Sequence, residues 1–107
     1  NVTDAVFSEG GRYLYLSSSL GNAVQRADLS LGTPSFSTFY AAGGACYGLA
    51  LDERRRRLYT LTGPTSSSYE LVAIDADPTS TTYGQPLGSS LGLSGGAWIE
   101  RWTLAPS

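Results

Sequence analysis

Ala5-Val6-Phe7-Ser8-Glu9-Gly10-Gly11-Arg12-Tyr13-Leu14-Tyr15 returns later in the chain as Leu49-Ala50-Leu51-Asp52-Glu53-Arg54-Arg55-Arg56-Arg57-Leu58-Tyr59. Leu14 matches Leu58 and Tyr15 matches Tyr59, an offset of 44 residues (59 − 15). Each copy is an apolar run, a polar turn and a second run in which apolar and polar residues alternate. That is the pattern of a β-hairpin whose strands bury one face.

Working outward, Val2 to Ser8 and Arg12 to Ser17 form the first hairpin. Gly21-Asn22 opens a third strand, Ala23 to Leu29, and Gly32-Thr33-Pro34 turns into a fourth, Ser35 to Tyr40. In the second copy the strands are Cys46 to Asp52, Arg57 to Thr62, Glu70 to Asp75 and Thr81 to Leu87, with Gly63 to Ser68 as a longer polar loop. Ala27-Asp28 matches Ile74-Asp75 at an offset of 47 (75 − 28), so the second copy gains its extra residues in that loop while the strands stay in step. A repeat of about 40–50 residues made of short strands has the spacing of one β-propeller blade, a four-stranded antiparallel sheet. The expected fold is therefore all-β, with residues 1–44 one blade, 45–87 a second, and 88–107 a connection plus a partial strand of a further one. The last assignment rests on the likeness of residues 96–104 to residues 21–29, which share Gly, a β-branched residue, Arg and Leu in order. With 107 residues the ring is incomplete, since a closed propeller needs roughly four to eight blades.

Composition narrows the chemistry. A formal charge of −2 gives no field to attract nucleic acid, and the run Arg54 to Arg57 reads as a solvated turn. The chain contains no His, so it cannot assemble a Ser-His-Asp or Cys-His arrangement or a nitrogen-rich metal site. Cys46 is the single cysteine, which excludes an internal disulfide and reads as a small buried side chain. Asp75-Ala76-Asp77 lacks the further oxygen ligands of a calcium loop, and no metal or cofactor is expected. No apolar run reaches about 18 residues and no charged-then-apolar leader is present, so a soluble chain without a membrane partner or a targeting signal of its own is expected. Its compartment is left open.

Residues 2–44 resemble a blade of the lactonase-type β-propellers, the superfamily that includes bacterial phosphogluconolactonase and the fungal carboxy-cis,cis-muconate cyclase. Val6-Phe7-Ser8-Glu9-Gly10-Gly11-Arg12-Tyr13-Leu14-Tyr15-Leu16 carries the resemblance, and Gly21-Asn22-Ala23-Val24 continues it. The second copy keeps the frame more loosely, with Asp52-Glu53-Arg54-Arg55 in place of the glycine turn. The resemblance implies opening or closure of a sugar-acid or muconate lactone in a polar pocket at one mouth of the ring. The cyclase branch is associated with a catalytic histidine, so none of its functional residues carries over to this chain.

Four side chains stand as candidate ligand contacts. Asp4 and Tyr47 begin the first strands of the two copies, where a propeller faces its central channel, and Arg26 and Arg101 recur in similar strands with the geometry to clamp a carboxylate. The catalytic residues are unknown. Tyr13, Tyr15, Tyr59, Trp98 and Trp102 read as packing aromatics. The sequence thus describes a structural or ligand-binding portion of a lactonase-like propeller, its partners being further blades, in cis or in a homo-oligomer, and its ligand a small carboxylate, a lactone or a sugar. The alternative is part of a lactonase or cyclase-type enzyme whose catalytic groups lie mostly outside these residues.

Overall fold

The computed structural model describes residues 2–65, 68–89 and 91–94. Its first antiparallel sheet runs in the order β1 (Val2–Phe7), β2 (Tyr13–Ser18), β3 (Ala23–Asp28) and β4 (Phe36–Ala41). The second repeats it as β5 (Ala45–Asp52), β6 (Arg57–Thr65), β7 (Ser68–Asp75) and β8 (Leu91–Ser94). Every neighbour in each sheet is also the neighbour in sequence, so both are simple meanders. Among the described residues there is no α-helix, only a three-residue 3₁₀ turn at Glu9–Gly11.

Local chemistry explains the hairpins. Between β1 and β2, Gly10 and Gly11 both take positive φ, +75° and +73°, a conformation that costs a side chain but not glycine. Ser8 closes the turn by accepting the Tyr13 amide on its hydroxyl at 3.0 Å and donating its own amide to the Tyr13 carbonyl at 2.9 Å. The β5–β6 turn has no glycine. Asp52 accepts both the amide and the guanidinium of Arg55, at 3.2 and 2.9 Å, and Arg56 takes the positive φ of 55°.

Alternation within the strands assigns the faces. Tyr13, Tyr15 and Ser17 on β2 are buried, and residues paired directly across a ladder share a face, so Val6 and Arg26, opposite Tyr15, and Val24, opposite Ser17, join them. On the second sheet Leu58, paired with Leu51 and Ile74, and Thr60, paired with Leu49 and Val72, define the buried face. These two faces meet in one core that includes Tyr13, Tyr15, Val24, Cys46, Leu49, Leu58, Val72 and Ile74. Fully burying each Leu, Ile or Val there contributes on the order of 1.5–3 kcal/mol. The seam is also polar at one place: the Thr3 hydroxyl lies 2.6 Å from that of Ser17 and donates to the Cys46 carbonyl at 2.8 Å.

One difference from the sequence reading matters. The fourth strand of the second sheet is Leu91–Ser94, past the boundary at residue 87, and Thr81 to Leu87 is instead a loop held beside the end of β7. Gly84 donates to the Asp75 carbonyl at 2.8 Å, Asp75 to that of Gln85 at 2.9 Å and Leu87 to that of Ala73 at 2.7 Å. The segment satisfies its backbone on the strand without becoming part of a regular ladder. The repeat at residues 96–104 lies outside the described residues.

Candidate binding cleft between the sheets

The two hairpin turns and the loop after β7 enclose a cleft of about 370 Å³ at one end of the seam. Tyr13 and Tyr15 form its aromatic wall, Leu51, Ala76 and Pro78 its aliphatic side, and Ser8, Arg12, Glu53, Arg56 and Thr79 its polar rim. Volumes of this order accommodate small organic molecules.

The rim is built twice from the same parts. Arg12 and Arg56 occupy equivalent places in the repeat, 44 residues apart (56 − 12), one on each sheet. Arg12 reaches Asp28 at 3.3 Å, and Arg56 reaches Asp77 at 3.1 Å. Asp28 is held by the amide and hydroxyl of Ser30, at 3.0 and 2.6 Å, as Asp77 is held by those of Thr79, at 3.0 and 2.7 Å. Each unit ties a hairpin turn to the end of the third strand of its sheet. The donors around Asp28, chiefly the Ser30 hydroxyl and then Arg12, lower its carboxyl to about 2, and those around Asp77, led by the Thr79 hydroxyl, lower it as well.

Behind the rim, aromatic rings carry the contact between the sheets. Tyr83, from the loop after β7, donates to or accepts from the Tyr15 hydroxyl at 2.8 Å and accepts from Arg26 at 3.1 Å. Its ring packs edge-on against Phe39 with centroids 4.8 Å apart, and the Arg26 guanidinium sits 4.6 Å from the Tyr13 centroid and 5.4 Å from that of Tyr83. Burial, then the hydrogen bond to Tyr83, raise the Tyr15 hydroxyl above the ordinary tyrosine range. Burial likewise raises the Cys46 thiol. Each group whose acidity is shifted among the described residues thus moves away from neutrality, where a general acid or base works best.

The four residues singled out from sequence are dispersed. Asp4 accepts the Leu49 amide at 3.0 Å and the Ala5 amide at 2.9 Å, which makes it a strut across the β1–β5 seam. Tyr47 packs edge-on to Tyr69 at 5.8 Å, and its ring closes over Gly63, where an added Cβ would sit 2.7 Å from it. Arg26 stands in the aromatic cluster, and Arg101 lies outside the described residues. None of the three described side chains lines the cleft. Sequence reasoning missed Arg12, Arg56 and Tyr83. The first two were recoverable, since the repeat aligns them; Tyr83 falls in Thr81 to Leu87, whose sequence reads as a strand.

Among the described residues no group of His, Cys, Asp and Glu could hold a metal ion. No family model, curated protein or solved structure matches this chain.

Proposed function

We propose that the chain is a pair of lactonase-type propeller blades that serves as a scaffold, with its sheets completed into a ring by further sheets of the same kind. One observation supports this above others: the two sheets stack front to back. Leu58 and Ile74, buried against the first sheet, are the repeat equivalents of Leu14 and Ala27, which lie on the face of the first sheet turned away from the second. Tyr15, on the face that receives the second sheet, is equivalent to Tyr59, which lies on the second sheet's outer face. Stacking of this kind uses a different face of each sheet at every contact and so propagates, whereas a two-sheet sandwich buries equivalent faces and stops. The pairing of Arg12 with Asp28 and of Arg56 with Asp77 favours a structural role for the two arginines of the rim.

A tandem duplication tests this reading by supplying third and fourth sheets in cis. The duplicated chain is expected to unfold at a higher temperature than the single chain at a dilution where the latter is monomeric, because an additional seam is buried. An unchanged Tm would sink the proposal.

A further inference from the structure

The two outer faces of the chain form a complementary pair, and from this we infer that a second copy of the chain docks head to tail, the outer face of its first sheet covering the outer face of the second sheet. The inference rests on the stacking just proposed and names the partner that continues it.

The distribution of exposed apolar side chains carries it. Phe7 on β1 and Phe36 on β4 are 62% and 46% exposed, and the ladder pairs Phe7 with Leu14 and Ala27 with Phe36, so they share the outer face of the first sheet. Phe7 is equivalent to Leu51, which packs against the core. On the second sheet Leu61, buried with 4% exposure, pairs with Leu71, which is half-buried, and Leu71 in turn pairs with Leu91, which is 60% exposed. These residues occupy the positions of Ser17, Val24 and Tyr40 in the first sheet, the last of which packs against the core. Each outer face thus repeats one half of the seam already formed inside the chain.

A loop completes the match. Inside the chain the segment after β7 lays Tyr83 over Tyr13, Tyr15 and Phe39. Its counterpart after β3 carries Leu29 and Leu31, 38% and 57% exposed, available to cover Tyr59 of the neighbouring copy. Exposed large apolar side chains gathered on a sheet face mark an interface, and a front-to-back interface generates a ring when the rotation closes and a filament when it does not.

Solution mass of the 107-residue chain and of two variants tests the docking. The wild type is expected as a multimer, while Phe7→Glu, which spoils only the outer face of the first sheet, and Leu91→Glu, which spoils only that of the second, are each expected at the monomer mass of 11.3 kDa. Mixed one to one, the variants retain one intact face each and are expected to form a dimer of twice that mass that grows no further. Circular dichroism of each variant confirms retained β structure, and Phe36→Glu with Ala73→Glu replaces any member that fails it. A folded wild-type monomer would overturn the inference, as would variants that stay monomeric on mixing or a single variant that leaves the mass unchanged. If the tandem duplication is stabilised although the wild type is monomeric, only docking between copies is refuted; if it is not, the stacking reading falls with it.

Discussion

Tyr15 joins the two sheets through its hydroxyl, while its ring packs on Phe39 of its own sheet. The ring is 1% exposed and packs against Phe39 with centroids 5.0 Å apart, while the hydroxyl meets that of Tyr83. Tyr15→Phe keeps the packing and removes the hydrogen bond, so it is expected to lower stability by about 0.5–1.5 kcal/mol, read as a lower midpoint in urea. The same site carries an alkaline dependence. The folded state holds Tyr15 protonated above the ordinary tyrosine value, so the stability it contributes is complete below about pH 10 and drains as the pH climbs past it; in Tyr15→Phe that part of the decline disappears. From sequence, alternation with Leu14 and Leu16 identified Tyr15 as a packing aromatic. Its partner was not legible, because Tyr83 stands 68 residues away in a segment with no period to betray which side it faces.

At the scale of elements, glycine records how tightly the loop after β7 is held. Gly84 takes φ +86°, and a Cβ there would lie 2.8 Å from the Phe39 carbonyl oxygen, backbone that cannot swing aside. Gly88 takes φ +70° with nothing within 4 Å. Gly88→Ala is expected to cost only the left-handed backbone penalty, about 1–2 kcal/mol, and Gly84→Ala distinctly more. Equal losses in thermal unfolding would show that the loop yields without disturbing β4. The first seven strands were legible because each alternates or is bounded by Gly, Pro, Asn or Asp, but β6 runs on to Thr65 and β7 begins at Ser68, through most of the stretch Gly63 to Ser68 that reads as a loop. The eighth was not: Leu91–Ser94 is short and set in a Gly- and Ser-rich stretch, while the preceding Thr81 to Leu87 borrows the backbone of β7 without sharing its ladder. The β-bulges were equally silent in sequence, although the register slips at corresponding places in the first strand of each sheet, between Val2 and Asp4 and between Cys46 and Leu49.

For the molecule as a whole, the repeat at an offset of 44 gave the two sheets, but which face met which was a matter of three dimensions. Phe7 and Leu51 are interchangeable in a pattern of apolar positions; only packing shows that one is covered and the other is not. The cleft followed the same rule, its arginines legible as a pair only once both turns were seen at one end of the seam. That seam also contains a natural clock. Cys46, the only thiol in the chain, has no exposed surface and lies in the shared core, so a thiol reagent in solution can reach it only when the sheets part. Its modification is expected to proceed at the rate set by global unfolding measured in denaturant; faster labelling would mean that the sheets separate while each is still intact. A single sulfur atom thereby distinguishes a body that melts as one from two plates that breathe apart.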